Sequence, residues 1–311
     1  MKAFITGISG FVGAGLAREL VKRGEEVHGL VRPGSDEWRL KDIETKITLH
    51  RAELLDEHSL EKAVTTAQPT TIFHLASYGT YPGKQVEPKK ILETNLLGSL
   101  NVFQAAEKVG ALVVSAGSSS EYGRKNHPMQ ENELIVPESY YAVGKAAQTF
   151  LGQQFAQSKK CPVITLRLFS VYGPFEEPGR YVPTVINLAL QGKDIQISDP
   201  AIGRDYIYVP DAVEAFIVAA QHPELSGEII NVGSGVQSTL GDVYTEVIRA
   251  TGSESKALFG AHEKRAVDSA VWVAHTEKMR ARLNLSPRFT LAEGIQDMVK
   301  WFPSYAPHYN R

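Results

Sequence analysis

The chain has 311 residues, of which 43% are apolar and 22% charged, and these proportions exclude a disordered, collagen-like or coiled-coil protein. The formal net charge is −2 and no basic run is longer than two residues, so we expect no nucleic-acid partner. Cys161 is the only cysteine, which excludes an intrachain disulfide and a thiolate metal cage. No apolar run approaches the ~20 residues that span a bilayer, and the chain enters a strand at Lys2. We therefore expect a cytoplasmic protein with no membrane partner and no signal peptide.

Buried strands alternate with amphipathic helices through the first half of the chain. Strands are predicted over residues 2–6, 26–31, 71–76, 112–116 and 163–168. Helices are predicted over residues 11–23, 60–66, 91–109 and 140–157. Because this alternation is typical of βαβ units, we predict an α/β fold of the Rossmann type with a doubly wound parallel sheet.

The pattern changes after Tyr172. Prolines and glycines cluster over residues 173–183, and helices are predicted over 182–191 and 211–221. One more strand of the main sheet is predicted over 228–232. The pattern indicates a smaller C-terminal domain that is interleaved with the first. We expect the larger domain to comprise residues 1–172 and about 208–236, and the smaller one residues 173–207 and 237–311.

A glycine-rich turn, TGISGFVG over residues 6–13, joins the first strand to the first helix. Glycines at such a position permit a tight turn, close approach of a pyrophosphate and close helix–sheet packing. The spacing is GxxGxxG, whereas the standard dinucleotide fingerprint is GxGxxG. We expect the following residues of the turn to bind a dinucleotide: Gly7, Ser9, Gly10, Phe11, Val12 and Gly13.

Tyr141 and Lys145 are four residues apart on one face of a predicted helix. A nearby ammonium favours the phenolate of a tyrosine, so Lys145 is expected to lower the pKa of Tyr141 and make it usable as a general acid/base. Tyr140 cannot play the same part, because the residue four positions later is Gly144. The serine-rich loop over residues 115–123 follows a strand, where a hydroxyl can hydrogen-bond a reacting oxygen.

The motifs TGISGFVG, YAVGK, LRLFSVYGP and RDYIYVPD together resemble the extended short-chain dehydrogenase/reductase family, whose members are NAD(P)-dependent nucleotide-sugar epimerases, dehydratases and reductases. The resemblance implies that Tyr141 is the general acid/base and that Lys145 also holds the nicotinamide ribose. It places the catalytic hydroxyl on Ser118, with Ser119 as the alternative. It implies that Asn95 bonds the backbone and helps to relay protons, and that Asp211 caps the helix predicted over 211–221.

The resemblance also implies the ligand contacts and the assembly. Glu53, where the family usually has Asp, and Leu54 are expected at the adenine, and Leu75 and Ala76 beside the nicotinamide ribose. The implied substrate contacts, to a nucleotide-diphosphate sugar, are Ser119, Ser120, Ser170 (usually Asn), Arg180, Arg204 and Arg265. The domain of residues 1–172 would bind NAD(P), and the smaller domain the nucleotide-sugar. Two long helices, 91–109 and 140–157, would form a four-helix bundle in a homodimer, with outward apolar residues Leu96, Leu100, Phe103, Phe150 and Phe155.

The residue after the second strand bears on the choice of cofactor. An acid that holds the ribose 2′-OH is expected there in an NAD-binding fold, but the residue is Arg32. A guanidinium pairs well with a 2′-phosphate, so the sequence favours NADP(H), with NAD(H) as the alternative.

The same serine-rich loop bears on the reaction. Dehydratases of the family carry an acid pair or Ser-Glu directly after the catalytic hydroxyl, whereas here Ser120 occupies the Glu position and Glu121 falls one residue late. Together with Arg32, this favours NADPH-dependent reduction of a nucleotide-linked 4-keto-6-deoxyhexose. The alternatives are a 4-epimerase similar to UDP-glucose 4-epimerase with retained NAD, a 4,6-dehydratase, and a catalytically idle NADP-sensing protein. None of the nine histidines has an HExxH or other metal spacing, so we expect no metal.

Overall fold

The computed structural model describes residues 1–80, 87–260 and 271–309. The strands are β1 Lys2–Thr6, β2 Glu26–Val31, β3 Thr48–Arg51, β4 Thr71–His74, β5 Leu112–Ser118, β6 Val163–Leu168, β7 Ser170–Tyr172, β8 Ile195–Ile197, β9 Gly203–Tyr208, β10 Ile229–Val232, β11 Gln237–Thr239 and β12 Ala257–Phe259. The helices are α1 Phe11–Lys22, α2 Glu57–Ala67, α3 Pro88–Leu92, α4 Gly98–Val109, α5 Tyr140–Gln157, α6 Tyr181–Leu190, α7 Val209–Ala219, α8 Leu240–Thr251, α9 Glu277–Leu283 and α10 Leu291–Trp301.

Seven strands form the main sheet in the order β10-β6-β5-β4-β1-β2-β3, and every neighbouring pair is parallel. This order is that of a doubly wound Rossmann sheet with one extra strand at the β6 edge, so the predicted fold class is confirmed. The crossover direction reverses between β1 and β4. Ligands of such sheets bind in the crevice outside the carboxyl ends of the strands at this point.

Helices cover both faces of the main sheet, which explains why its central strands are apolar on both sides. α1 and α7 pack together on one face, where Leu16, Leu20 and Phe216 are buried in the core. α2, α4 and α5 cover the other face, where Val64 and Phe103 are buried. The carboxyl edge between these layers is left open for a ligand.

A second unit contains the sheet β11-β9-β7 and the pair β12-β8. Its core joins α6, α8 and α10, with Val185, Val247 and Ile295 fully buried. α8 and α10 both begin with a capping box, in which Thr239 and Thr290 each exchange bonds with the acid three residues later. These two caps fix where the helices start.

The predicted helix over residues 91–109 has a different local structure. It consists of α3, a π-helical turn over Glu93–Leu97 and α4, and it ends at Gly110 in the left-handed conformation. The expectation that Phe103 and Phe155 face outward is wrong, because both rings pack in the core beside α4 and α5. Phe150, by contrast, is 56% exposed.

Asp211 does not cap the second predicted helix of the C-terminal half, so that expectation is wrong. α7 starts earlier, with Tyr208 as its N-cap, because β9 runs directly into it, and Asp211 lies in the first turn. The Asp211 carboxylate accepts hydrogen bonds from Arg288 N (3.0 Å) and Phe289 N (3.2 Å). It therefore ties α7 to the segment before α10. Within the three described ranges, no helix has the length and apolarity needed to cross a membrane.

Candidate active site

A cavity of about 930 Å³ lies at the carboxyl edge of the main sheet, between it and the second unit. Most of the predicted site residues line this one cavity: Gly7, Ser9, Gly10, Phe11, Val12, Gly13, Arg32, Glu53, Leu54, Leu75, Ala76, Ser118, Ser119, Ser120, Tyr141, Lys145, Ser170, Arg180 and Arg204. Asn95 lies behind the wall, and Arg265 lies outside the described residues.

The glycine turn forms a cradle that side chains would fill. Gly7 has φ +74°, and a Cβ there would lie 2.7 Å from Ala76 N. A Cβ on Gly13 would lie 2.2 Å from Gly7 O. The first intrahelical bond of α1 runs from Ala14 N to Gly10 O at 2.9 Å, so the N–H groups of the preceding helical residues face outward from the helix start. The first turn of α1 contains no acidic residue, so this end of the cavity fits a pyrophosphate.

The far end of the cavity lies beside β2 and has the features of an adenosine site. Arg32 directly follows β2 and is exposed at the cavity wall. The first acid after β2 is Asp36, whose Oδ1 accepts Trp38 N at 3.0 Å and so caps a turn. Glu53 and Leu54 line the same region, the leucine buried and the glutamate exposed. The residues present fit a nicotinamide dinucleotide.

The helix α5 carries Tyr141 and Lys145, and it starts after Ser139, whose hydroxyl accepts Ala142 N at 3.1 Å. Lys145 is buried, and its Nζ donates to Ala116 O and to Gln148 Oε1, the latter at 2.7 Å. Burial lowers the pKa of Lys145 to about 8, while the charge of Glu121 acts in the opposite direction.

The pKa of Tyr141 differs in direction from the sequence-based expectation. Burial of the phenol raises this pKa, and the hydrogen bonds with Ser118 and Thr80 only partly oppose the rise. The expected lowering by Lys145 is wrong for this state, because burial of the phenol outweighs the effects that lower its pKa. The structure does place the Ser118 hydroxyl close enough to the phenol to lower this pKa.

In the serine-rich loop, the hydroxyls of Ser118, Ser119 and Ser120 have different hydrogen-bond partners. Ser118 ends β5, and its Oγ bonds Ser120 Oγ at 2.8 Å and accepts Ser120 N at 3.2 Å. Ser119 Oγ instead accepts Trp272 Nε1 at 3.0 Å. Because Ser118 is the serine in contact with Tyr141, the geometry favours the predicted register over the alternative at Ser119.

Glu121 lies away from the cavity wall and is fully buried. Its Oε1 accepts Ser118 N at 2.7 Å, and its Oε2 accepts Arg167 Nε at 2.8 Å and Thr149 Oγ1 at 2.9 Å. All of these bonds hold the carboxylate inside the protein. Glu121 is therefore not placed to remove a proton from a substrate, as a dehydratase acid would do.

Asn95 lies in the π-helical turn between α3 and α4 and bonds the backbone, as the resemblance implied. Its Oδ1 accepts Tyr78 N at 3.0 Å, and its Nδ2 donates to Tyr78 O at 2.9 Å. Gly144 of α5 leaves room for it, because a Cβ there would lie 3.0 Å from the Asn95 Cβ. The residue thus orders the segment after β4, which forms part of the cavity wall.

The substrate end of the cavity contains two arginines with distinct surroundings. Arg204 donates to Gly203 O at 2.7 Å, and its guanidinium carbon lies 5.6 Å from the centre of the Trp272 ring. Arg180 Nε lies 3.6 Å from Glu176 Oε1. Ser170 lines the same cavity.

Sequence reasoning missed three residues of this site. Thr80 lies close enough to Tyr141 to lower its pKa but belongs to a stretch with no recognisable motif. Gln148 bonds Lys145 and could have been found from its spacing of three residues on the same helix. Glu176 lies in a run noted only for its prolines and glycines. Among the described residues, no three histidine, cysteine, aspartate or glutamate side chains form a group able to hold a metal ion.

The cradle, the buried lysine and the adjacent phenol define an enzyme site for a nicotinamide dinucleotide on an α/β sheet. The model of the NAD dependent epimerase/dehydratase family matches residues 3–233, and the chain belongs to this family. The resemblance seen in the motifs is thereby confirmed.

The relatives are similar over almost the whole chain. A UDP-N-acetyl-alpha-D-glucosaminuronate decarboxylase of Bacillus cytotoxicus is 30% identical over 97% of both chains. A UDP-glucose 4-epimerase of Mycolicibacterium smegmatis is 28% identical over 97% of this chain and 98% of its own. The structure of the Thermus thermophilus UDP-glucose 4-epimerase in complex with NAD has a TM-score of 0.88 at 27% identity, covering 98% of this chain and 100% of that one. These relatives favour the epimerase interpretation over the reductase.

Proposed function

We propose that this chain is a 4-epimerase of a UDP-linked sugar that works with a retained nicotinamide dinucleotide. The observation that carries the proposal is the contact between Tyr141 and Ser118 in the same cavity as the glycine cradle. The burial of Glu121 away from the cavity removes support for dehydration. The similarity to UDP-glucose 4-epimerases over nearly the full chain adds independent support.

The chemistry follows from the side chains at the cavity. A bound nicotinamide ring would supply the site with a hydride acceptor that later returns the hydride. Tyr141 takes the proton of the C4 hydroxyl while that carbon is oxidised, and returns it when the ketone is reduced on its opposite face. Ser118 hydrogen-bonds the C4 oxygen and stabilises the charge that develops on it. Lys145 orients the cofactor ribose.

The second unit would hold the nucleotide-sugar. Arg204 and Arg180 are the cations that we assign to the diphosphate and the sugar, and Ser170 supplies a hydroxyl between them and the catalytic group. Arg265 remains a predicted contact from the sequence alone. We assign cofactor binding to residues 1–172 with about 208–236, and substrate binding to residues 173–207 and 237–311.

The test is an interconversion assay on the purified protein. UDP-glucose is supplied, and UDP-galactose is measured by chromatography while the absorbance of reduced cofactor is followed. We expect the two sugars to reach equilibrium with no net change in that absorbance. Oxidation of one reduced cofactor per sugar, with no interconversion, would contradict the proposal.

A second candidate function is supported by one observation, the exposed Arg32 at the cavity wall. If Arg32 pairs with a 2′-phosphate, the enzyme is an NADPH-dependent reductase of a nucleotide-linked 4-keto-6-deoxyhexose. The wild type should then prefer NADPH, and Arg32→Asp should reverse that preference. Equal kcat/KM values for NADPH and NADH in the wild type would rule out this role of Arg32.

Assembly is the remaining element of the proposal. Leu97, Val143 and Phe150 are each more than 40% exposed on the π-helical turn and on α5. They lie on the elements that the family resemblance assigns to a four-helix bundle, so we propose a homodimer through this face. Light scattering at micromolar concentration should give twice the chain mass, and Phe150→Glu should give the monomer.

A further inference from the structure

The loop between β7 and α6 places one carboxylate in the wall of the catalytic cavity. Glu176 is only 5% exposed and lines that wall. Its N–H donates to Gly173 O at 3.1 Å, and its carbonyl accepts the Tyr309 hydroxyl at 2.7 Å. The preceding carbonyl, of Phe175, accepts Arg39 Nε at 2.8 Å. A bond within the loop and contacts with two separate segments therefore fix the position of Glu176.

The Glu176 carboxylate is incompletely satisfied in this position. Its Oε1 lies 3.6 Å from Arg180 Nε, which is an ion-pair distance and not a close hydrogen bond. Its Oε2 is buried and accepts no hydrogen bond from the part of the chain that the structure describes. Burial raises the pKa of Glu176 to about 7, and Arg180 acts against this rise. Since a buried carboxylate oxygen without a donor is unfavourable, a ligand that brings a donor would be stabilised here.

The charged groups near the carboxylate are Arg180 and the Arg39–Glu177 pair, and the tyrosines around it are neutral. Burial raises the pKa values of Tyr172, Tyr206 and Tyr309, and the charge of Glu176 raises them further, so all three phenols keep their protons. The charge of Arg180 also lowers the pKa of Tyr141. The Glu176–Arg180 pair therefore lies within electrostatic reach of the phenol that we assign to the reaction.

We infer that Glu176 is a specificity-determining residue that accepts a hydrogen bond from a hydroxyl or amino group of the sugar and rejects a sugar that carries a carboxylate. The inference rests on the proposed function, because it assumes that a UDP-sugar occupies the cavity. A neutral hexose offers hydroxyl donors around its ring, whereas a uronate would bring a second negative charge next to a buried carboxylate. The enzyme should thus select UDP-glucose over UDP-glucuronate.

The experiment is isothermal titration of the full chain, as purified, with UDP, UDP-glucose and UDP-glucuronate. It is performed about 1.5 pH units above the raised pKa, so that Glu176 is ionised. The wild type should bind UDP-glucose at least about tenfold more tightly than UDP-glucuronate. Glu176→Gln should reduce this ratio to about threefold or less, through tighter binding of UDP-glucuronate, and should leave the affinity for UDP unchanged.

Glu177→Gln is the matched control. The Glu177 carboxylate lines the same cavity but is already paired with Arg39 Nη2 at 2.9 Å, so this variant should keep the wild-type ratio. Equal affinities of the wild type for the two sugars would overturn the inference without any variant. A ratio that Glu176→Gln leaves unchanged would overturn it while the proposed function stands. A wild type that does not bind UDP would refute the proposed function and the inference together.

Discussion

Arg167 donates from Nε to Oε2 of Glu121 across 2.8 Å, and neither side chain reaches solvent. The arginine comes from β6 and the glutamate from the serine-rich loop, so the pair joins the end of β5 to its neighbouring strand. The other carboxylate oxygen accepts Ser118 N at 2.7 Å. The ion pair thereby holds the backbone of the hydroxyl that we assign to catalysis.

Breaking this pair should destabilise the protein strongly. Glu121→Ala leaves the Arg167 guanidinium buried without its partner, which typically costs about 3–5 kcal/mol. The double variant Glu121→Ala with Arg167→Met removes both charges and should recover most of that loss. The free energy of unfolding in urea measures both effects. If Glu121→Ala were as stable as the wild type, the Glu121–Arg167 pair would not stabilise the fold.

Tyr141→Phe should reduce turnover while the protein still folds and binds its cofactor. The change removes only the oxygen that moves the proton, and general acid/base groups contribute on the order of 10²–10⁴-fold. The matched control is Tyr140→Phe, because Tyr140 is adjacent in sequence but 52% exposed. Steady-state assays should give wild-type turnover for the control. An unchanged rate in Tyr141→Phe would exclude this residue from proton transfer.

Two neighbouring serines should respond differently to the same substitution. Ser118→Ala removes the hydroxyl in contact with Tyr141 and should lower kcat. Ser119→Ala removes only the acceptor of the Trp272 indole N–H and should leave kcat close to the wild-type value. If the second variant is the inactive one, the assigned register of the loop is wrong by one residue.

The affinity of the cofactor-free protein for its dinucleotide should fall as the pH rises through about 8. Burial lowers the pKa of Lys145 to about 8, so the side chain loses its charge above that pH. A neutral amine gives up the charge-assisted bond to the ribose, which corresponds to about tenfold in affinity. Lys145→Arg stays charged and should not show the fall. Fluorescence titration at several pH values compares the two, and parallel curves would contradict the assignment.

His74 should make the fold sensitive to acid. Its Nδ1 lies 2.7 Å from Thr6 Oγ1 and its Nε2 lies 2.8 Å from Ser99 Oγ. Burial, with a smaller effect of the Lys145 charge, lowers the pKa of His74 from 6.5 to about 3. Between these values the unfolded chain binds a proton that the folded chain does not, so stability decreases as the pH falls below about 6.5.

The measurement for His74 is the free energy of unfolding at neutral pH and at about pH 5. This histidine alone accounts for a loss of about 2 kcal/mol between the two conditions. Between the two pH values, the free energy of unfolding of His74→Gln should therefore decrease by about 2 kcal/mol less than that of the wild type. His58→Gln, at an exposed histidine of α2, should behave as the wild type does. Identical losses in His74→Gln and the wild type would contradict the pKa assignment.

The main sheet and the catalytic pair were accessible from the sequence because both rest on local patterns. Apolar runs mark β1, β2, β5 and β6, and a spacing of four residues marks Tyr141 and Lys145. β3 was missed, because Thr48–Arg51 is an edge strand with polar residues and no continuous apolar run. The π-helical turn was also missed, since one extra residue in a helix leaves no compositional mark.

Glu176 and Glu121 show why the rest could not be predicted. The Glu121 carboxylate accepts several hydrogen bonds, whereas Glu176 Oε2 accepts none among the described residues. This difference depends on tertiary contacts, and for Glu176 they involve Arg39 and Tyr309, which are far away in sequence. The direction of the Tyr141 pKa was wrong for the same reason. Helical spacing predicts that Lys145 lies near the phenol, but the burial that raises the pKa of Tyr141 is set by tertiary packing.

The strand β10 has a consequence for how the chain is made. β10 pairs with β6, yet the substrate-side segments β7, α6, β8 and β9 lie between these two strands in the sequence. During synthesis, β6 therefore remains an unpaired edge of the sheet until more than sixty further residues have left the ribosome. An open parallel edge invites pairing with other chains, so the nascent protein is exposed to aggregation at β6 until β10 covers that edge.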